Sequence, residues 1–181
     1  MRVIAGELKG RRLEAPDLPG LRPTSDRVRE AMFDALEARR LVEGSVVLDL
    51  FAGSGALGIE ALSRGAARVA FVESDARALR AIEANLASVG DLAARGRVVR
   101  ADVLAYLEKG ADRADLALVD PPYSFDGWQL LVARLAPVAE VILLEHSRAV
   151  EVGPQFETIR LYRHGGTLLT LARRSSESGS R

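Results

Sequence analysis

The sequence predicts an α/β fold: a mostly parallel sheet with helices on both faces, closed by an antiparallel C-terminal hairpin. Three observations lead there. Between residues 45 and 146, five short apolar runs alternate with longer stretches of helical character. Those runs are continuously apolar rather than alternating, as strands covered on both faces are. After residue 155 the period drops to two, the mark of strands with one wet face.

Taken in order, residues 1–22 hold Gly6, Gly10 and Gly20 among short apolar and basic pieces, which predicts a small β-hairpin arm. TSDRVREAMFDALEARR (24–40) reads as a helix. Thr24, Ser25 or Asp26 can cap it, and Val28, Met32, Ala35 and Leu36 share one face. The strands are SVVLDL, RVAFVES, GRVVRAD, DLALVD and EVILLEH. Between them lie helical stretches such as GALGIEALSRG and DARALRAIEANLASVG, which Gly65 and Gly90 should end. FETIRLYRH and TLLTLAR form the closing hairpin around Gly165 and Gly166, and the polar tail SSESGSR is expected to be disordered. The organisation is therefore an arm (1–22), one domain (23–174) and a tail (175–181).

The 181 residues suit one domain with a substantial core, being 48% hydrophobic and 28% charged. With 25 basic and 25 acidic residues the formal net charge is zero, so no global field draws the chain to nucleic acid or membrane. Locally the balance differs. Residues 1–12 carry Arg2, Lys9, Arg11 and Arg12 against Glu7 alone, and residues 158–174 carry Arg160, Arg163, Arg173 and Arg174 with no acid. Such patches suit a polyanion contact, or they guard solvated strand edges. The lack of cysteine excludes disulfides, thiolate nucleophiles and cysteine-held metals. His146 and His164, the only histidines, stand too far apart in the chain to suggest a metal pair. No apolar run approaches the ~18 residues of a membrane helix, and the N-terminus lacks a signal peptide's apolar segment. The expected location is the cytoplasm.

Each central strand closes on a carboxylate: Asp49, Glu73, Asp102, Asp120 and Glu145. Open parallel sheets bind ligands outside the carboxyl ends of their strands, so these acids should line one rim. Any one of them could instead be a helix N-cap. The loop after the first strand, LDLFAGSGALG, places Gly53, Gly55 and Gly58 as G-x-G-x-x-G, with Glu73 twenty residues beyond Gly53. That is the spacing of a dinucleotide fingerprint, and an NAD-dependent oxidoreductase is its obvious reading. Against it, Asp49 would repel a pyrophosphate, and 181 residues leave no second domain for a hydride acceptor. S-adenosylmethionine suits the same residues. Asp49 would attract its ammonium or sulfonium end, Glu73 would accept its ribose hydroxyls, and Asp102 would accept its adenine amine.

DLFAGSG followed by DPPY resembles the class I, S-adenosylmethionine-dependent amino-methyltransferases of nucleobases. The resemblance implies that Asp120 and Pro121 accept hydrogen bonds from an exocyclic amine while Tyr123 stacks on a flipped base. The residue types suit that task. Each of Asp120 and Pro121 precedes a proline and is biased to extended backbone, and neither Pro121 nor Pro122 has an N–H to compete for acceptors. Over nearly residues 1–173 the chain further resembles the RsmD-type bacterial 16S ribosomal RNA guanine-N2 methyltransferases. MRVIAGELKGRRLEAP, LRPTSDRVREAMFDAL, LDLFAGSGALGIEALSRGA, FVESD, DPPY and LLEHS carry that likeness.

The resemblance implies a Rossmann-like, seven-stranded class I methyltransferase sheet. It also implies a single flipped guanine as target (guanine 966 in the family) within an assembling small ribosomal subunit, and a monomeric enzyme. Carried over by position, Arg22, Thr24 and Arg27 would close over the cofactor, while Asp49, Gly53, Gly55, Glu73 and Asp102 would bind it. Asp120, Pro121, Pro122 and Tyr123 would hold the guanine amine, with Arg2, Lys9, Arg11 and Arg12 on RNA phosphates and no metal involved. Arg163, His164 and two glycines replace an expected tighter Y-G-x-T turn, which leaves the last hairpin without a role. Transfer to adenine N6 or cytosine N4 of DNA is the alternative, but the chain has little room for a groove-reading region.

Overall fold

The computed structural model describes residues 1–15 and 25–176. Among these residues the α-helices and β-strands follow one another as α1 (Asp26–Glu37), β1 (Val46–Leu50), α2 (Ala56–Ser63), β2 (Arg68–Glu73), α3 (Ala76–Ala87), β3 (Gly96–Arg100), α4 (Val103–Glu108), β4 (Ala114–Val119), α5 (Trp128–Leu135), β5 (Ala139–His146), β6 (Phe156–His164) and β7 (Thr167–Arg174). The strands make one seven-stranded sheet in the order β3-β2-β1-β4-β5-β7-β6. The first five are mutually parallel; β7 runs antiparallel to both β5 and β6. The expected sheet and closing hairpin are both present.

Strand parity divides the core in two. Val47, Phe71, Leu116, Leu118, Val141 and Leu143 point to the face covered by α1, α2 and α3. Leu48, Leu50, Val72, Ala117, Ile142 and Leu144 point to the opposite face, against α4 and α5. Ser25 caps α1, its hydroxyl accepting the Val28 N–H at 3.3 Å. Val28, Met32, Ala35 and Leu36 are buried as their spacing predicts, and so is Arg29. Gly65 follows α2 with φ +93°. Gly90 does not end α3, which stops at Ala87; it opens a 3-10 turn over Gly90–Arg95 instead.

Residues 1–15 do form a small hairpin, closed by the bridge between Arg2 and Arg12. Rather than standing free as an arm, the hairpin is built into the domain. Val3, Leu8 and Leu13 join the core on the α2 face. Ile4 and Ala5 donate their N–H groups to Glu60, and Leu8 donates to Ser63 Oγ. Asn85 on α3 exchanges two hydrogen bonds with the backbone of Glu14. Among the described residues, no helix is long and apolar enough to cross a membrane. The tail beyond Ser176 lies outside the described residues.

Candidate active site

A cleft of about 950 Å³ opens along the carboxyl ends of β1, β2, β4 and β5. Its floor begins with the turn after β1. Phe51 takes φ +60°, a left-handed conformation that costs a bulky residue about 1 kcal/mol or more. Gly53 and Gly55 follow with φ +57° and +76°. The turn leads into α2, where a Cβ on Gly58 would fall 2.2 Å from the Phe71 ring, so that helix can meet β2 only through a glycine.

Four of the five strand-end acids border the cleft. Glu73 is held by three backbone donors: Gly53 on Oε2 at 2.9 Å, and Ser74 and Asp75 on Oε1 at 2.7 and 2.9 Å. These occupy three of the four acceptor sites of a carboxylate, leaving one on Oε2 for a ligand hydroxyl where two hydroxyls were expected. Asp102 caps α4 through Oδ1, which accepts the Ala105 N–H at 2.9 Å. Asp75, which sequence reasoning passed over, caps α3 and lines the cleft beside Glu73. The Ala78 and Arg77 N–H groups hold its carboxyl below the ordinary value.

Asp49 corrects the sequence reading. Its carboxyl is 1% exposed, lies beneath the glycine turn and does not form the cleft wall. Oδ2 accepts the Gly58 N–H at 2.8 Å, while Oδ1 is buried without a hydrogen-bond partner. Burial pushes its pKa well above the ordinary value, against the Gly58 bond and with help from the charges of Asp120 and Glu73. A group so placed shapes the turn before it meets any ligand.

Asp120 follows β4 directly, half-buried on the cleft edge, with Pro121 buried and Pro122 exposed. The chain then turns, the Phe125 N–H donating to the Pro122 carbonyl at 2.8 Å. Tyr123 is left 61% exposed, its ring open to a planar partner. Beneath the turn, Phe51, Phe125, Trp128 and His146 stack edge to face at 5.2, 5.3 and 6.0 Å. His146 donates from Nδ1 to the Arg148 carbonyl at 2.7 Å, so its Nε2 accepts the Thr170 hydroxyl at 2.8 Å. Burial lowers its pKa, only partly offset by the Arg148 bond, and it stays a neutral structural group. The aromatic spacing in sequence is irregular, so only the fold reveals this support.

The N-terminus of α1 overhangs the cleft through Ser25, Val28 and Arg29. Arg27 is exposed and lies off the cleft wall, while Arg22 and Thr24 fall outside the described residues. Arg29 is 1% exposed; it donates to the Arg2 carbonyl, meets Asp26 at 3.1 Å and lies 3.9 Å from Glu60. Burial lowers its pKa, opposed by the charges of Asp26 and Glu60. Arg2, Lys9, Arg11 and Arg12 are all exposed on the adjoining hairpin, whose Met1 also borders the cleft. Thr167, at the turn of the last hairpin, reaches the cleft from the other side.

These donors and acceptors fit S-adenosylmethionine. The glycine turn lets backbone pass close to a ligand, Glu73 keeps an open acceptor site, and Asp102 borders the same cleft. The strand order, the glycine turn and the acid closing β2 together define a class I methyltransferase fold. The family described as Conserved hypothetical protein 95 matches residues 1–172, and the chain belongs to it, as an RsmD-type member. Ribosomal RNA small subunit methyltransferase D of Escherichia coli is 42% identical over 123 residues, which is 68% of this chain and 60% of that protein's length. YlbH of Bacillus subtilis is 39% identical over 163 residues, 84% of this chain and 85% of that one. Among solved structures, the Escherichia coli yhhF protein superposes with a TM-score of 0.84 at 32% identity, covering 97% of this chain and 98% of that one.

Proposed function

We propose that the protein is an S-adenosylmethionine-dependent methyltransferase of ribosomal RNA, acting on N2 of a single flipped guanine of 16S RNA in the assembling small subunit. The observation that carries the reading is the Asp120-Pro121-Pro122-Tyr123 turn, held at the edge of a cleft whose other end presents Glu73, Asp102 and the glycine turn. Bound in that cleft, S-adenosylmethionine supplies an electrophilic methyl on a sulfonium, a leaving group that needs no further activation. The chain's task is to present the amine. That nitrogen is a weak nucleophile because its lone pair is delocalised into the base. Accepting its two N–H bonds on Asp120 and the Pro121 carbonyl favours a pyramidal nitrogen with its lone pair aimed along the cleft. As the N–C bond forms, the nitrogen becomes cationic, and the Asp120 carboxylate faces the developing charge and can take the proton it sheds. Tyr123 holds the base plane, stacking being worth about 1–3 kcal/mol. The exposed Arg2, Lys9, Arg11 and Arg12 would meet phosphates around the target, with the protein acting as a cytoplasmic monomer.

Labelled methyl transfer tests the reading directly. Unmodified small subunits, free RNA and DNA are offered in parallel, and the product nucleoside is identified. N2-methylguanosine from small subunits is expected, whereas N6-methyladenine or N4-methylcytosine from DNA would favour the alternative target. Calorimetry with S-adenosylmethionine and NAD side by side should show binding of the first alone. The variant Asp120→Ala should keep cofactor affinity while losing transfer on the order of 10²–10³-fold, as when one preorganised group facing a developing charge is removed.

A further inference from the structure

The D-P-P-Y turn can present any exocyclic amine, so the choice of guanine must come from beside it. We infer that Glu145 is a specificity-determining residue, reading the guanine N1–H next to the amine that Asp120 holds. The inference rests on the guanine reading of the cleft given above.

Sheet register puts the two acids side by side. Val119 of β4 pairs with Leu144 of β5, so Asp120, which directly follows β4, stands beside Glu145 of β5. Adjacent strands lie about 4.8 Å apart. Parity puts the two on one face, since Leu116 and Leu118 of β4 and Val141 and Leu143 of β5 all enter the core beneath α1 and α2. His146 turns to the opposite face, against Trp128. Glu145 is 8% exposed, yet it borders both the main cleft and the small hollow under the D-P-P-Y turn. A carboxylate has four acceptor sites, enough to receive a base N–H in addition to bonds within the protein.

Base chemistry supplies the discrimination. On the Watson–Crick edge of guanine the ring atom beside the N2 amine is N1–H, a donor. In adenine the neighbour of the N6 amine is N1, and in cytosine the neighbour of the N4 amine is N3; both are acceptors. A carboxylate beside Asp120 therefore receives a hydrogen bond from guanine and meets a lone pair from adenine or cytosine. Sites built to bond a particular N–H reject analogues lacking it far more strongly than pockets that discriminate by shape.

The base analogue 2-aminopurine tests this contact: it keeps the 2-amine and has an acceptor at N1, and its missing 6-oxo group weighs equally on the wild-type protein and on a Glu145 variant. Small subunits are reconstituted with RNA carrying guanine or 2-aminopurine at the target position, and kcat/KM for methyl transfer is measured for each. The wild-type protein should prefer guanine on the order of 10⁴-fold. In Glu145→Gln the preference should narrow at least ~10-fold, because a rotated amide can donate to the acceptor N1. Calorimetric affinity for S-adenosylmethionine serves as the check on folding, with Glu145→Asp as second variant. Equal transfer to both bases by the wild-type protein, or a loss in Glu145→Gln that is the same for both, overturns the inference. Failure of the wild-type protein to methylate guanine N2 at all would instead remove the functional reading beneath it.

Discussion

Asp49 concentrates the residue-scale energetics of the site. Its Oδ2 ties down the Gly58 N–H while Oδ1 has no partner, and burial raises its pKa well above the ordinary value. In the window above the unfolded carboxyl value of about 3.9, the native state keeps a proton that the unfolded chain has released. The native state then binds more protons, so stability falls as pH rises from that value through the raised folded one. Asparagine mimics the protonated acid, and its amide oxygen can still accept from Gly58. Urea unfolding from pH 5 to 8 should therefore show the wild-type protein losing stability relative to Asp49→Asn as pH rises. Parallel profiles would show that Asp49 is ionised in the native state. Asp49→Leu, which strands the Gly58 N–H, should be about 1–3 kcal/mol less stable than Asp49→Asn at any pH, since neither side chain titrates.

At the scale of elements, the N-terminal hairpin, α1 and α2 are joined through one buried ionic network. Glu60 on α2 is fully buried and accepts from the Ile4 and Ala5 amides and from Arg64, whose guanidinium also pairs with Glu37. Arg29 on α1 closes the group at 3.9 Å from Glu60. Replacing Glu60 with Gln should destabilise the protein by about 3–5 kcal/mol, because Arg29 and Arg64 remain buried with less compensation. Gly6 secures the hairpin against α2, having φ +79° and room for no Cβ, which would lie 1.9 Å from the Ser63 carbonyl oxygen. In Gly6→Ala the left-handed backbone alone costs about 1–2 kcal/mol. Hydrogen exchange at the Glu7 and Leu8 amides should quicken at least ~10-fold while amides of β4 and β5 keep their protection. Uniform protection would show that the hairpin tolerates the side chain. None of this network was legible in the sequence. Arg29 and Glu60 stand on different helical stretches with no motif to link them, and only tertiary packing brings Arg29, Glu60 and Arg64 together. The strands were legible because continuous apolar runs have few other uses, and the ends of α2 because Gly55 and Gly65 mark them. Asp49 was misjudged because its position in the strand was plain but its depth under the turn was not.

For the molecule as a whole, the carboxyl rim was the most legible feature, since five strands each ending on an acid state a shared edge before any register is known. What register added is the juxtaposition of Asp120 with Glu145, one residue beyond the Val119–Leu144 pair, and that comes from the order β4-β5, which composition does not contain. The same scale governs how a chain of zero net charge could hold a polyanion. Attraction must come from a local patch, and Arg2, Lys9, Arg11 and Arg12 are exposed together on a hairpin whose first residue borders the cleft. The C-terminal patch is partly engaged within the protein, Arg174 with Glu140 and Arg160 over the Tyr162 ring, while Arg163 and Arg173 are exposed far along the chain from the hairpin. Affinity for unmodified small subunits should therefore fall as salt rises, with counterions released at each phosphate contact. Replacing Arg2, Lys9, Arg11 and Arg12 singly by alanine leaves the backbone bonds of the hairpin in place, the Arg2 carbonyl bond to Arg29 included. Each substitution should reduce the slope of log affinity against log salt by about 0.7–0.9, while S-adenosylmethionine affinity stays level. A slope that none of the four changes would mean that the hairpin's charges face solvent in the complex, and the polyanion would have to be met elsewhere on the rim.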